Sequence, residues 1–81
     1  MDFKKVKRVA ISGFTDPDME MEFHKRNISV IHFVELINTI DVLIMKDTRA
    51  WSRKKKIAKD HNIPIISREE ACAGIGLITN S

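Results

Sequence analysis

The chain has few of the residues that cross-link or interrupt a fold. Its 81 residues include one cysteine, three glycines, two prolines and no tyrosine. The single Cys72 can form no internal disulfide and cannot build a Cys-rich zinc site, so both kinds of scaffold are excluded. Pro and Gly are too few for a linker, and the length has room for one domain only.

Long apolar runs are also absent, since none approaches the roughly 18 residues that a membrane-spanning helix needs. Residues 1–5 lack the apolar region of a signal peptide. We therefore expect no membrane association and an intracellular location, in the cytoplasm or nucleus, including the host cell of a phage or virus. The shares of apolar residues, 43%, and charged residues, 31%, are typical of a globular domain rather than a disordered one.

Motifs for metal, cofactor and nucleophile chemistry are missing as well. The three histidines have no metal-ligand spacing, and the acidic group at residues 16–22 lacks calcium-loop spacing. No P-loop, dinucleotide-binding glycine loop or nucleophile elbow occurs. We expect no catalytic residue, no metal, no cofactor and no small-molecule substrate. We expect Cys72 to be buried and to act as a small apolar residue.

Apolar, β-branched segments alternate with segments of helical spacing. The pattern predicts strands at residues 6–12, 28–33, 41–45 and 63–67. Helices are predicted after three capping positions, which are Thr15 or Asp16, then Ser52, and then Ser67. Residues 34–40 fit either a helical turn or an apolar crossover, and Pro64 favours an edge position for the fourth strand.

The order β-α-β-β-α-β-α predicts a single α/β domain over residues 1–81, with a core at about 6–77. We expect a four-stranded, mainly parallel sheet in the order 2-1-3-4, flanked by three helices. The residues expected to be buried are Val9, Ile11, Val42, Ile44, Ala58 and Ile65.

Three segments in order, residues 39–45, 52–58 and 62–70, resemble the second half of a BRCT domain. They correspond to a strand, a lysine-rich helix and an Ile-Pro-Ile strand before an acidic helix. Residues 9–14 resemble the family's first strand and its Ser/Thr-Gly turn. The resemblance covers about residues 6–75 and is closest to the BRCT domains of bacterial NAD-dependent DNA ligases and of the large subunit of replication factor C.

Three departures from the family pattern mean that the chain resembles a divergent member. The first helix, between Gly13 and Ile28, is shorter than is usual in the family. Arg26-Asn27 stands where the family usually has a pair of glycines. Ala71 stands where the last helix usually carries a buried aromatic residue.

The resemblance implies a phosphate-binding role for Ser12, Gly13 and Lys54. Their chemistry fits, because a hydroxyl and a glycine N–H donate hydrogen bonds while an ammonium at a helix start adds positive charge. We expect Ser12 and Lys54 to approach each other, since a strand's carboxyl end and the start of the next helix share one sheet edge. In the alternative interpretation these are a turn serine, a turn glycine and a solvated lysine.

The densest basic cluster lies at residues 49–59. There we expect Arg49, Trp51, Arg53 and Lys55 to contact nucleic acid or a protein partner. Trp51 could stack on a base or anchor a partner. Alternatively, its ring could fold over the sheet edge and complete the small core.

Together these features favour a non-catalytic binding module of DNA replication or repair, not an enzyme. Its expected partner is DNA, with 5′-phosphorylated ends as one form, or a phosphorylated protein. One alternative is a protein docking or self-association module that uses Trp51 and residues 34–37. Another is the BRCT fragment of a larger DNA ligase, with the chemistry elsewhere, because this chain lacks the ligase's adenylation lysine motif.

Overall fold

The computed structural model describes residues 2–76, so residue 77, the end of the predicted core, lies outside them. Strands and helices alternate along the chain. They are β1 (Arg8–Ser12), α1 (Pro17–Lys25), β2 (Ser29–Val30), a 3₁₀ helix (Val34–Thr39), β3 (Val42–Met45), α2 (Arg53–Asp60), β4 (Ile65–Ser67) and α3 (Arg68–Ile75).

The four strands form one parallel sheet in the order β2-β1-β3-β4. Val9 of β1 lies opposite both Val30 and Val42, and Leu43 of β3 lies opposite Ile65. The predicted sheet order and direction are therefore confirmed. β4 is an edge strand, as Pro64 indicated.

Side-chain alternation along the strands divides the core into two layers, one on each face of the sheet. Val42 and Ile44 point to the face covered by α1 and α3, where they join Met19, Phe23 and Ala71. The intervening Leu43 and Met45 point to the face covered by α2 and the 3₁₀ helix, with Ala58 and Ile37. All four residues of β3 are buried, as expected for a central strand that is covered on both sides.

Each α-helix begins at a capping side chain. An oxygen of Asp16, Ser52 or Ser67 accepts a hydrogen bond from the backbone N–H three residues later, at 3.0–3.1 Å. These bonds satisfy donors that have no partner within the helix. The cap of α1 is thus Asp16 rather than Thr15, and the other two predicted caps are confirmed.

The second strand is shorter than predicted, because β2 holds only two residues instead of 28–33. Its pairing with β1 ends when the N–H of Ile31 reaches the carbonyl of Val9, at 2.8 Å. The chain then turns into the 3₁₀ helix, which resolves the ambiguity at 34–40. β1 starts at Arg8 rather than at residue 6, because the carboxylate of Asp41 accepts the N–H groups of Lys7 and Arg8.

Two residues expected in the core, Ile11 and Ile65, are only partly buried. Ile11 lies near the open carboxyl end of β1, and Ile65 lies on an edge strand. Conversely, Phe3 is 4% exposed and packs on Phe23 with ring centroids 5.3 Å apart. The pattern around residue 3 gave no sign of this contact, since Phe3 lies outside every predicted element.

Candidate functional site

The carboxyl ends of β1 and β3 lie side by side and open into a cleft. Ser12 is in register with Met45, and the chain continues from these residues into Gly13 and into the loop that leads to α2. The cleft has a volume of about 460 Å³ and is lined by residues 12–13, 45–47 and 49–52. We call it the strand-end cleft. Ligands of open parallel sheets bind in such a position.

A pair of serine hydroxyls lies in the strand-end cleft. Ser12 is 8% exposed, and its hydroxyl donates to Oγ of Ser52 at 3.1 Å. Oγ of Ser52 also accepts the N–H of Lys55 at 3.0 Å. Ser12 uses its proton in the bond to Ser52, so the O–H of Ser52 is the one that these bonds leave available to an acceptor in the cleft.

Gly13 leaves the backbone open beside this pair. Its φ of +86° lies in the left-handed region that favours glycine. A Cβ at this position would meet no atom within 4 Å other than those of Gly13 and its two chain neighbours. The space above the turn is therefore wide enough for a ligand atom to approach the main chain.

Lys54 lies at the same sheet edge but does not line the strand-end cleft. Its Nζ donates to the carbonyl of Ile11 at 3.0 Å, directly before Ser12. This contact places its positive charge at the end of β1, and an ammonium retains two further donors. The structure thus brings Ser12, Gly13 and Lys54 to one edge, with only the first two on the cleft surface.

Lys55 organises the loop before α2. Its Nζ donates to the carbonyl oxygens of Thr48 and Ala50, at 2.7 and 3.1 Å. Asp47 adds a turn, because its carboxylate accepts the backbone N–H and Nε of Arg49, at 2.9 and 3.3 Å. These contacts with Arg49, first the backbone bond and then the guanidinium, lower the pKa of Asp47.

Trp51 is 78% exposed, so the alternative in which its ring covers the core is wrong. A second depression, which we call the α2 groove, lies beside it and is lined by Arg49, Trp51, Lys55, Lys56, Lys59 and Asp60. Arg49 and Trp51 line both depressions, so the two are contiguous. Arg53 is exposed on the same helix.

Positive charge is concentrated around these two depressions. Residues 46–60 hold seven of the fourteen basic residues and two of the eleven acidic ones, which gives this segment a net charge of +5. The rest of the chain carries −2, although the net charge of the whole chain is only +3. A segment of this charge, which includes the N-terminus of α2, attracts anions.

The sequence alone identified Ser52 only as a helix cap, and missed it as a site residue. A signal was present, because an N-cap at the start of α2 and the last residue of β1 meet at one edge of a parallel sheet. Two serines at those positions could have been paired. Nothing comparable in the sequence indicated that the side chains of Lys54 and Lys55 would donate hydrogen bonds to backbone carbonyls.

Within residues 2–76, no group of three or more His, Cys, Asp or Glu side chains is arranged to hold a metal ion. In the same part of the chain, no helix is both long and apolar enough to cross a bilayer. No protein-family model matches the chain, and no curated protein or solved structure matches it either. The similarity to BRCT domains therefore stays a prediction that rests on the residues quoted for it.

Proposed function

We propose that this domain is a non-catalytic binding module that holds the terminal phosphate of a DNA end in the strand-end cleft. The observation that carries the proposal is the Ser12–Ser52 hydroxyl pair with its remaining O–H, beside the open turn at Gly13. A phosphate oxygen would accept that O–H. The positive end of α2 and the charge of Lys54 would stabilise the anion.

DNA is favoured over a phosphorylated protein by the extent of the positive surface. The charge of residues 46–60 continues along α2 past the strand-end cleft. Binding a chain of phosphates uses several such charges, whereas a single phosphorylated side chain needs only the cleft. The assignment to DNA replication or repair comes from the BRCT resemblance.

The alternative of an apolar docking module has less support from the surface. Within residues 34–37, Ile37 is fully buried, and Leu36 is 44% exposed. With the neighbouring Phe33, 69% exposed, this segment offers two large apolar side chains. Two exposed apolar side chains form only a small patch, and patches of this size are common on protein surfaces. Trp51, the other residue of this alternative, is exposed but lies among basic residues.

The test compares two short blunt duplexes that are identical except for a 5′-phosphate or a 5′-hydroxyl. Fluorescence anisotropy should show about tenfold or tighter binding of the phosphorylated duplex, since a charge-assisted hydrogen bond contributes roughly 1.5–3 kcal/mol. Affinity should fall between about 50 and 200 mM salt. Equal binding of the two duplexes would contradict the phosphate site.

Ser52→Ala should reduce the phosphate preference, because it removes the O–H that the serine pair leaves available, and Ser67→Ala provides a matched control. Both serines cap a helix through the same hydrogen bond, but only Ser52 lies in the strand-end cleft. Each variant should lose about 1 kcal/mol of stability. If Ser67→Ala changed the phosphate preference equally, the effect would be one of stability rather than of binding.

Two lysine variants separate the terminal phosphate from general attraction to DNA. Lys54→Ala should reduce the phosphate preference, because Lys54 places its charge beside Ser12. Lys59→Ala, farther along α2, should weaken both duplexes slightly and equally. A phosphoserine peptide serves as a third ligand. If it bound tightly while both duplexes bound weakly, the partner would be a phosphorylated protein.

A further inference from the structure

Trp51 is exposed on a segment whose backbone is fixed on both sides. The carbonyl of Ala50 accepts a hydrogen bond from Nζ of Lys55, and the N–H of Ala50 donates to the carbonyl of Asp47 at 3.1 Å. On the other side, Ser52 caps α2. The indole is therefore presented from an ordered loop, which lowers the entropic cost of stacking a flat ligand on it.

The α2 groove provides cations next to this ring. The side-chain ammonium of Lys59 makes no hydrogen bond or ion pair with any residue among 2–76, whereas its backbone carbonyl accepts the N–H of Asn62 at 3.2 Å. Lys56 has only an exposed i,i+4 pair with Asp60, at 3.5 Å. A pair of this kind contributes little, so Lys56 can exchange it for a phosphate. An exposed aromatic ring flanked by lysines is the arrangement by which proteins hold single-stranded nucleic acid.

We propose that the α2 groove binds unpaired nucleotides, with one base stacked on Trp51 and the flanking phosphates on Lys56 and Lys59. Within a duplex the faces of the bases are covered by their neighbours, except at the terminal pair. A base that stacks on Trp51 while the phosphates on both of its sides contact lysines therefore belongs to a single-stranded segment. The inference rests on the proposed function in one respect. Because the strand-end cleft and the α2 groove share Arg49 and Trp51, a strand whose terminal phosphate lies in the cleft continues into the groove. The DNA end is therefore one with a single-stranded overhang.

The chain is suited to a direct test, since Trp51 is its only tryptophan and no tyrosine is present. Intrinsic fluorescence therefore reports Trp51 alone. Titration with short oligo(dT) that lacks a terminal phosphate should quench this emission. An abasic strand of equal length carries the same phosphates without bases, and it should bind more weakly and leave the emission nearly unchanged. Equal quenching by the two strands would overturn the proposal.

Variants separate the stacked base from the phosphate contacts, with affinity followed by anisotropy of labelled oligo(dT). Trp51→Ala should weaken binding by about 5-fold to 100-fold, and Trp51→Phe should retain most of the affinity. Lys59→Ala should reduce the slope of log affinity against log salt by roughly 0.7. Lys25→Ala, which removes an exposed charge from α1, is its control. Equal losses in Lys59→Ala and Lys25→Ala would overturn the groove assignment.

Asp60→Asn tests the α2 groove with a variant that should strengthen binding rather than weaken it. It removes a negative charge and releases Lys56, so affinity for oligo(dT) should rise by up to about fivefold. Asp2→Asn makes the same change near the N-terminus and should have a smaller effect. A loss of affinity in Asp60→Asn would contradict phosphate contacts at Lys56.

The two proposals fail in different ways. If a 5′-phosphate strengthens duplex binding but oligo(dT) leaves the Trp51 emission unchanged, the overhang proposal is overturned and the proposed function stands. If oligo(dT) quenches Trp51 while a 5′-phosphate makes no difference, the phosphate cleft is overturned. The α2 groove is then supported as a site for single strands alone.

Discussion

One hydroxyl group, that of Ser52, has a structural and a proposed binding role that do not compete. As a cap it uses only a lone pair of its oxygen, which accepts the N–H of Lys55. The bond from Ser12 uses another lone pair. The proton of Ser52 remains available to a ligand, so helix stability and anion binding can depend on the same atom.

Ile44 lies in the middle of β3 and is fully buried, so its truncation should have a large effect on stability. Ile44→Ala should lower the free energy of unfolding by roughly 2–5 kcal/mol, because it removes buried apolar contacts and leaves a cavity. That loss is comparable to the total stability of such a domain, on the order of 5 kcal/mol. Urea unfolding followed by circular dichroism measures it.

Leu36→Ala is the control for this measurement, because Leu36 is 44% exposed on the 3₁₀ helix. Its truncation should cost much less. If Ile44→Ala unfolded at the same urea concentration as the unaltered protein, the burial of β3 on both faces would be wrong.

At the scale of elements, an ion pair joins the starts of α1 and α3, which lie on the same face of the sheet. Nε and Nη2 of Arg68 donate to Oδ2 of Asp16, at 3.1 and 2.9 Å. This hydrogen bonding raises the pKa of Arg68. The guanidinium also lies 5.9 Å from the ring centroid of Phe14. The pair fixes two helices that are distant in sequence.

Asp16→Asn should lower the free energy of unfolding slightly. Asparagine caps a helix as well as aspartate does, so the loss reports the ion pair. The partly exposed position of Arg68 keeps the value below that of a fully buried charged bond. Asp18→Asn removes the same charge from the same helix turn, and thermal unfolding compares the two. If both variants lost the same stability, the loss would come from the interaction of the carboxylates with the helix dipole rather than from the ion pair.

Elements governed by local chemistry were predictable, and elements governed by pairing were less so. The helix starts at Asp16, Ser52 and Ser67 depend on one side chain and a bond three residues away. Ser52 and Ser67 were predicted from sequence, and Asp16 was one of two predicted alternatives. The second strand was overestimated, because β-branched residues at 28–33 favour an extended chain whether or not a neighbour is present to pair with them.

The same distinction between predictable and unpredictable features applies to the candidate site. The meeting of Ser12 and Gly13 with the start of α2 follows from parallel-strand topology, which the sequence indicates. The exposure of Trp51 and the use of Lys55 as a loop contact do not follow, because both depend on where the carbonyls of residues 48–50 lie in space. The sequence left Trp51 with two opposite interpretations for this reason.

For the molecule as a whole, the thiol of Cys72 can report the opening and unfolding of the domain. Cys72 is 2% exposed on α3, against the sheet, and burial raises the pKa of its thiol, although the charge of Arg68 opposes that shift. A thiol-reactive dye at pH 8 should therefore react slowly with the folded protein, since reaction needs an exposed thiolate. The rate should rise steeply as urea unfolds the domain.

The raised pKa also sets the direction of an alkaline effect. Above the ordinary thiol pKa of 9.0, the unfolded state loses a proton that the folded state retains. Stability should then fall as pH rises. In the experiment with the thiol-reactive dye, rapid labelling of Cys72 in the folded protein without urea would show that α3 opens independently of the sheet.

The short outer strands of the sheet have a consequence for behaviour at high concentration. Residues 42–45 form an apolar, β-prone run that would promote aggregation if it were exposed. It is enclosed between neighbours, and the outermost strands are only two and three residues long, the latter preceded by a proline that donates no hydrogen bond. Edges of this kind give another molecule little template for β-pairing. The domain should therefore stay monodisperse while it is folded, and aggregation should begin only where unfolding begins.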